Sequence, residues 1–152
     1  MSERSEDAFL GPFGIVYYLP LQIVNGIHFP HKMYFERVFK TVHDNGGLVI
    51  ADETQTALGR TGAHFWGFQN YGFLPDIVAV GRPLGGGHPI GAVITSERVS
   101  SRLGAYFSTF GGNPVSCAIG IAVLDVISNE NLMSSAKHVG QVLYELLKDL
   151  QV

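Results

Sequence analysis

Apolar residues in this chain fall in continuous short runs separated by stretches with helical spacing. Ile15, Val16, Tyr17 and Tyr18 lie in a run from Gly14 to Leu19, bounded by Gly11-Pro12 and Pro20, and read as a buried strand. Met33, Phe35, Val38, Phe39 and Val42 recur with the period of a helix that ends at Asn45-Gly46-Gly47, where glycine supplies positive φ. Further apolar runs follow at Leu48 to Glu53 (LVIADE), Asp76 to Gly81 (DIVAVG) and Ile90 to Thr95, with a turn at Tyr71-Gly72. A short helix is expected near Glu97 to Leu103 and a glycine turn at Gly111-Gly112-Asn113. Pro114 then opens a helix from Val115 to about Ser128, carrying Ala118, Ile119, Ala122, Val123 and Val126. Val139, Leu143, Leu146, Leu147 and Leu150 mark a final helix.

Strands that are apolar throughout, alternating with helices, predict an α/β fold with a mostly parallel sheet covered on both faces. Two strands run toward one mouth, the end of an open α/β sheet where ligands bind. One finishes in Asp52 and Glu53, the other in Arg82-Pro83-Leu84-Gly85-Gly86-Gly87-His88-Pro89.

The 152 residues are 46% hydrophobic and 15% charged, enough for one domain with a core and too apolar for disorder. Net charge is −3 and the four lysines and six arginines are dispersed, which excludes the basic stripe of a nucleic-acid binder. The lone Cys117 forms no internal disulfide, suits a reducing intracellular compartment, and is expected as a small core residue. The opening MSERSEDAFL lacks an apolar run suited to a signal or membrane segment, and no cytoplasmic or mitochondrial address is readable.

LVIADE also has the form of a nucleotide-binding Walker B strand, but no glycine-rich loop ending in Lys and Ser or Thr accompanies it. His28 and His31 have no second pair to complete a zinc site, so no metal is expected; His64, His88 and His138 read as structural. Arg60, in GRTG, reads as closing a local salt bridge, and Phe65, Trp66 and Phe68 as an aromatic packing knot.

ADETQTALGRTG, HFWGFQ, GRPLGGGHP and FSTFGGNPVSCAIG, in that order and spacing, resemble the class III pyridoxal phosphate aminotransferases from about Tyr34 to Leu150. Within them the chain is most similar to the ethanolamine phosphate and phosphohydroxylysine phospho-lyase branch, whose wording GKPxGNGHP is echoed by GRPLGGGHP. The resemblance implies a partial large domain of a fold-type I transferase plus the start of the C-terminal domain. Residues 1–30 match weakly, 31–112 correspond to the later half of the cofactor domain, and 113–152 lead into the C-terminal domain. It also implies pyridoxal phosphate as cofactor, a small amino substrate, and a homodimer or a heterodimer with a full-length relative, with no nucleic acid or membrane partner.

Residue by residue, the resemblance places Asp52 beside the pyridinium nitrogen, where a carboxylate keeps that nitrogen protonated. Thr54 stands where a valine usually underlies the ring, Gln55 where a glutamine bonds the ring oxygen, and Ala57-Leu58 where the family has Gly-Phe. Thr109 matches a threonine that reaches a partner's cofactor phosphate. Arg82 stands at the Schiff-base lysine. A guanidinium is always charged and forms no Schiff base, so covalent binding and the lysine's proton transfers are both expected to be lost, leaving weak noncovalent binding at best. The phosphate cup and the stacking aromatic belong to the family's earlier half, and Leu19-Pro20 replaces its Glu-Pro. The sequence thus reads as a truncated, divergent homologue without autonomous catalysis. Alternatives are an interaction protein docking on a full-length relative, or a translated remnant.

Overall fold

The computed structural model describes residues 15–20 and 28–150. Four strands, β1 (Ile15–Tyr18), β2 (Leu48–Asp52), β3 (Ile77–Val80) and β4 (Ala92–Thr95), form one sheet in the order β1-β2-β3-β4. β1, β2 and β3 run parallel, with Tyr17 opposite Ile50 and Ile50 opposite Ile77. β4 is antiparallel to β3. Between Val80 and Ala92 the chain makes only a short 3-10 turn at Arg82–Gly85, too little for the helical crossover that a parallel return requires.

Alternation along the strands sorts their side chains onto two faces. Tyr18, Val49, Ala51, Val78 and Val80 are buried on the face that meets α1 (Lys32–Asp44). Phe35, Phe39 and Val42 are buried from α1, and the Tyr18 ring lies 5.0 and 4.8 Å from those of Phe35 and Phe39. Phe73 closes the cluster, its centroid 4.0 Å from Phe39. Each such side chain removed from water contributes about 1.5–3 kcal/mol, so this aromatic layer is the main fastening of helix to sheet. The Tyr18 hydroxyl is buried without a hydrogen-bond partner among the described residues, a cost accepted inside the cluster. The expected cover is present on the α1 side only, and even there Ile94 of β4, level with Val78, is 48% exposed. On the opposite face Ile15 and Tyr17 are 60% and 55% exposed, because strand composition records apolarity but not which element lies over it.

A short helix α2 (Glu97–Ser100), ending three residues before the expected Leu103, follows β4. α3 (Pro114–Asn129) begins at the Asn113 cap, whose side chain accepts from the Ser116 amide at 2.9 Å, and α4 is Leu132–Asp149. Cys117 is exposed rather than in the core. Its helix is apolar nearly all round, so periodicity does not choose a face. The buried positions are Ser116 and Gly120, and of the expected stripe Val126 is left 44% exposed. α4 has no buried residue. It rests on the loop after β2 at Gly59 and Gly62: a Cβ on Gly59 would collide with Met133, and one on Gly62 would lie 2.7 Å from the Lys137 backbone.

Candidate functional site

Asp52 and Glu53 are adjacent, so the pleat sends them to opposite sides of the sheet. Glu53 is fully buried and accepts three hydrogen bonds, from the Gly67 amide at 2.9 Å, the Phe68 amide at 2.7 Å and the Thr56 hydroxyl at 2.6 Å. It thereby pins the start of a 3-10 helix (Gly67–Tyr71) to the end of β2, and Gly72 at φ 74° ends that helix at the expected turn. The sequence reading treated Glu53 only as a strand end. Two carboxylates in succession on a strand are the signal that one must point inward and find donors.

Asp52 sits half-buried on the opposite face. Burial by itself would raise its carboxyl. Hydrogen bonds from Thr54 and Tyr17, with the positive charge of Arg82 behind them, outweigh burial and hold it below the usual carboxylate range. The Thr54 amide donates to it at 2.9 Å. Tyr17, one strand away and diagonal to Asp52 in register, donates its hydroxyl to the carboxylate; this bond, then burial, pushes its phenol up to about 12.

These shifts fix the signs of two pH effects. Tyr17 is raised, so its contribution to stability is intact below the ordinary tyrosine value of 10.0 and disappears as pH rises through about 12. Asp52 is lowered, so its contribution is intact above 3.8 and is lost as pH falls through the depressed value. Tyr17→Phe is expected to move the Asp52 carboxyl upward, measured by carboxyl-carbon NMR, with loss of the high-pH phenol absorbance transition. An unmoved Asp52 would contradict the contact.

Where β2 and β3 end, Gly81 allows close approach: a Cβ there would lie 3.1 Å from the Thr54 side chain. The result is an open cleft of about 740 Å³ into which Thr54, Gln55 and Arg82 converge with Arg60 and Thr61. Asp52 lies behind this lining, linked to Arg82 by charge. Thr109 is elsewhere, exposed on the turn before α3 and outside the cleft. Arg60 does not close the expected salt bridge; among the described residues it forms no ion pair and faces the cleft instead. Sequence separation hid this, since the loop that returns Arg60 toward Arg82 is shaped by Gly59, Gly62 and the Glu53 anchor.

No lysine lines the cleft. Lys32 pairs with Glu36 at 3.9 Å, Lys40 with Asp44 at 2.5 Å, and Lys148 lies over the Tyr144 ring at 5.3 Å. Lys137 is exposed on α4. Phe65, Trp66 and Phe68 pack on one another, at 5.0 Å and 6.2 Å between successive centroids, and leave the cleft free of stacking rings from this group. His88 bonds the Ser116 hydroxyl at 2.8 Å, tying the segment after β3 to α3, and His31 caps α1. Among the described residues no cluster of three metal-ligating side chains occurs.

A mixed sheet carries two carboxylates at one strand end with a basic polar cleft beside them, and comparison with known proteins identifies the class. The chain belongs to the class III aminotransferase family, whose model matches residues 18–152. It is 48% identical over 132 residues to human mitochondrial alanine–glyoxylate aminotransferase 2, covering 85% of this chain and 25% of that protein. It is 46% identical over 136 residues to the ethanolamine-phosphate phospho-lyase homolog 1 of Caenorhabditis elegans, covering 86% and 29%. Among solved structures, an Arthrobacter phospholyase in complex with phosphoethanolamine superimposes with a TM-score of 0.80 at 40% identity, covering 90% of this chain and 34% of that one. Plasmodium falciparum ornithine delta-aminotransferase gives 0.82 at 36% identity, covering 90% and 36%. The chain thus spans about a quarter of the length of these curated relatives. The family is pyridoxal phosphate-dependent, and its members are typically dimers acting on amines.

Proposed function

We propose that this chain is a divergent member of the family that does not carry out transamination or phospho-lyase chemistry by itself. The observation that carries this reading is the cleft itself, which contains Arg82 and no primary amine. The family cofactor fits these residues at one end only. Asp52, held ionised, suits a pyridinium N–H, and Thr54 and Gln55 lie within the same mouth. At the other end, Arg82 stands where a covalent tether would be needed, and a guanidinium supplies neither that bond nor the proton transfers of a lysine. When bound in this family, the cofactor supplies an electron sink for bonds at the substrate carbon. This chain's residues would hold it only by hydrogen bonds and charge.

The test is to incubate the protein with pyridoxal phosphate, reduce with borohydride, and map peptides by mass. The expected result is no lysine labelled stoichiometrically, only traces spread over the exposed Lys32, Lys40, Lys137 and Lys148. A label concentrated on one lysine would sink the reading.

A second reading is favoured by the exposed apolar face of α4, where Val139, Leu143, Leu146 and Leu147 are all more than half exposed. It makes the chain an interaction protein that docks on a full-length relative, with the exposed Thr109 offered to that partner's site.

A further inference from the structure

We propose that Arg60 and Arg82 together form a noncovalent site for a phosphomonoester dianion. This deepens the reading of Arg82 as a residue that binds without bonding covalently, and rests on it. The cleft is lined by two guanidinium groups and by no carboxylate. Neither arginine forms an ion pair among the described residues; the Asp52 charge reaches Arg82 only from a distance.

The hydroxyls in the same lining are already engaged. Thr54 is bound to Asp52, its amide donating at 2.9 Å, Thr56 donates to Glu53 at 2.6 Å, and Thr61 to the His64 carbonyl at 3.4 Å. The free donors are therefore the arginines and the Gln55 amide. Each guanidinium offers planar paired N–H groups that match two oxygens of one anion, and two such groups match a doubly charged ligand better than a single carboxylate. The lining is open to an approaching anion at Gly87, where a Cβ would meet nothing within 4 Å, while the neighbouring Gly86 packs against Val123. Arg82 thus converts a position that the family devotes to covalent chemistry into half of an anion clamp.

The test is calorimetric titration of the full chain, at constant ionic strength, with inorganic phosphate, phenyl phosphate, pyridoxal phosphate and pyridoxal. The three phosphates are expected to bind saturably and pyridoxal not to bind. Arg60→Gln and Arg82→Gln should each weaken phosphate about tenfold, the loss of one charge-assisted contact, and Arg60→Lys should weaken it less. Circular dichroism establishes that the variants fold; if a glutamine variant does not, the lysine variant and the pyridoxal comparison still decide. Pyridoxal phosphate binding more than tenfold tighter than phenyl phosphate would assign the ligand to the cofactor's own phosphate, and equal binding would assign phosphomonoesters at large. Both outcomes support the site. Absence of saturable phosphate binding to the parent protein, or undiminished binding in both glutamine variants, would overturn it. A stoichiometric pyridoxyl label on one lysine after borohydride reduction would instead defeat the noncovalent reading of Arg82, and is scored separately.

Discussion

Glu53→Ala is expected to cost on the order of 3 kcal/mol or more of unfolding free energy, because it strips the acceptor from three buried donors at once. The Gly67 and Phe68 amides and the Thr56 hydroxyl have no alternative partner at the same place. Glu53→Gln should lose less, because one amide oxygen still accepts while the NH2 group faces donors. Urea unfolding followed by Trp66 fluorescence measures both, as Trp66 directly precedes the two anchored amides. A loss below about 1 kcal/mol for the alanine variant would mean that the anchor is dispensable, a surface-like cost.

Arg82→Lys is expected to convert a protein that takes no stoichiometric pyridoxyl label into one labelled stoichiometrically at position 82. The substitution restores a primary amine at the mouth of β3, beside Thr54 and within the field of an ionised Asp52. Absorbance after adding pyridoxal phosphate, then borohydride reduction and peptide mapping, reads the outcome as presence or absence of the label. Labelling would mean that the ring end of the site survives and that the nucleophile alone was lost. No label in the variant would mean that the floor formed by Asp52, Thr54 and Gln55 is insufficient to hold the cofactor, which would defeat the expectation that restoring the amine is enough.

Much of the fold was legible because strands and helices here carry strong, uninterrupted signals. β2 and β3, the turn at Gly111-Gly112-Asn113 and the run of α3 after Pro114 all follow from residues close together in sequence. The antiparallel β4 was not legible, since Ile90 to Thr95 reads the same in either direction and only the length of the connection decides. Cys117 was misplaced for a related reason: a helix apolar on all sides does not announce which side packs. In the cleft, Thr54, Gln55 and Arg82 were named together through the family resemblance, and the ends of β2 and β3 bring them into one lining. Arg60 was not, because its position depends on a loop with left-handed residues at Leu58, Gly59 and Gly62. Thr109 lies apart from them in a single copy, and its expected role concerns a partner.

The seat of α4 on Gly59 and Gly62 inverts the usual map of which positions can drift during evolution. The large leucines of that helix are exposed, so substitutions there alter little inside the fold. The two smallest residues of the loop have no such freedom: their backbone is left-handed and the space a methyl group would need is filled by Met133 and by the Lys137 backbone. The heritable record of how this helix docks is therefore written in side chains that are missing, at two loop positions, rather than in the apolar residues of the helix itself.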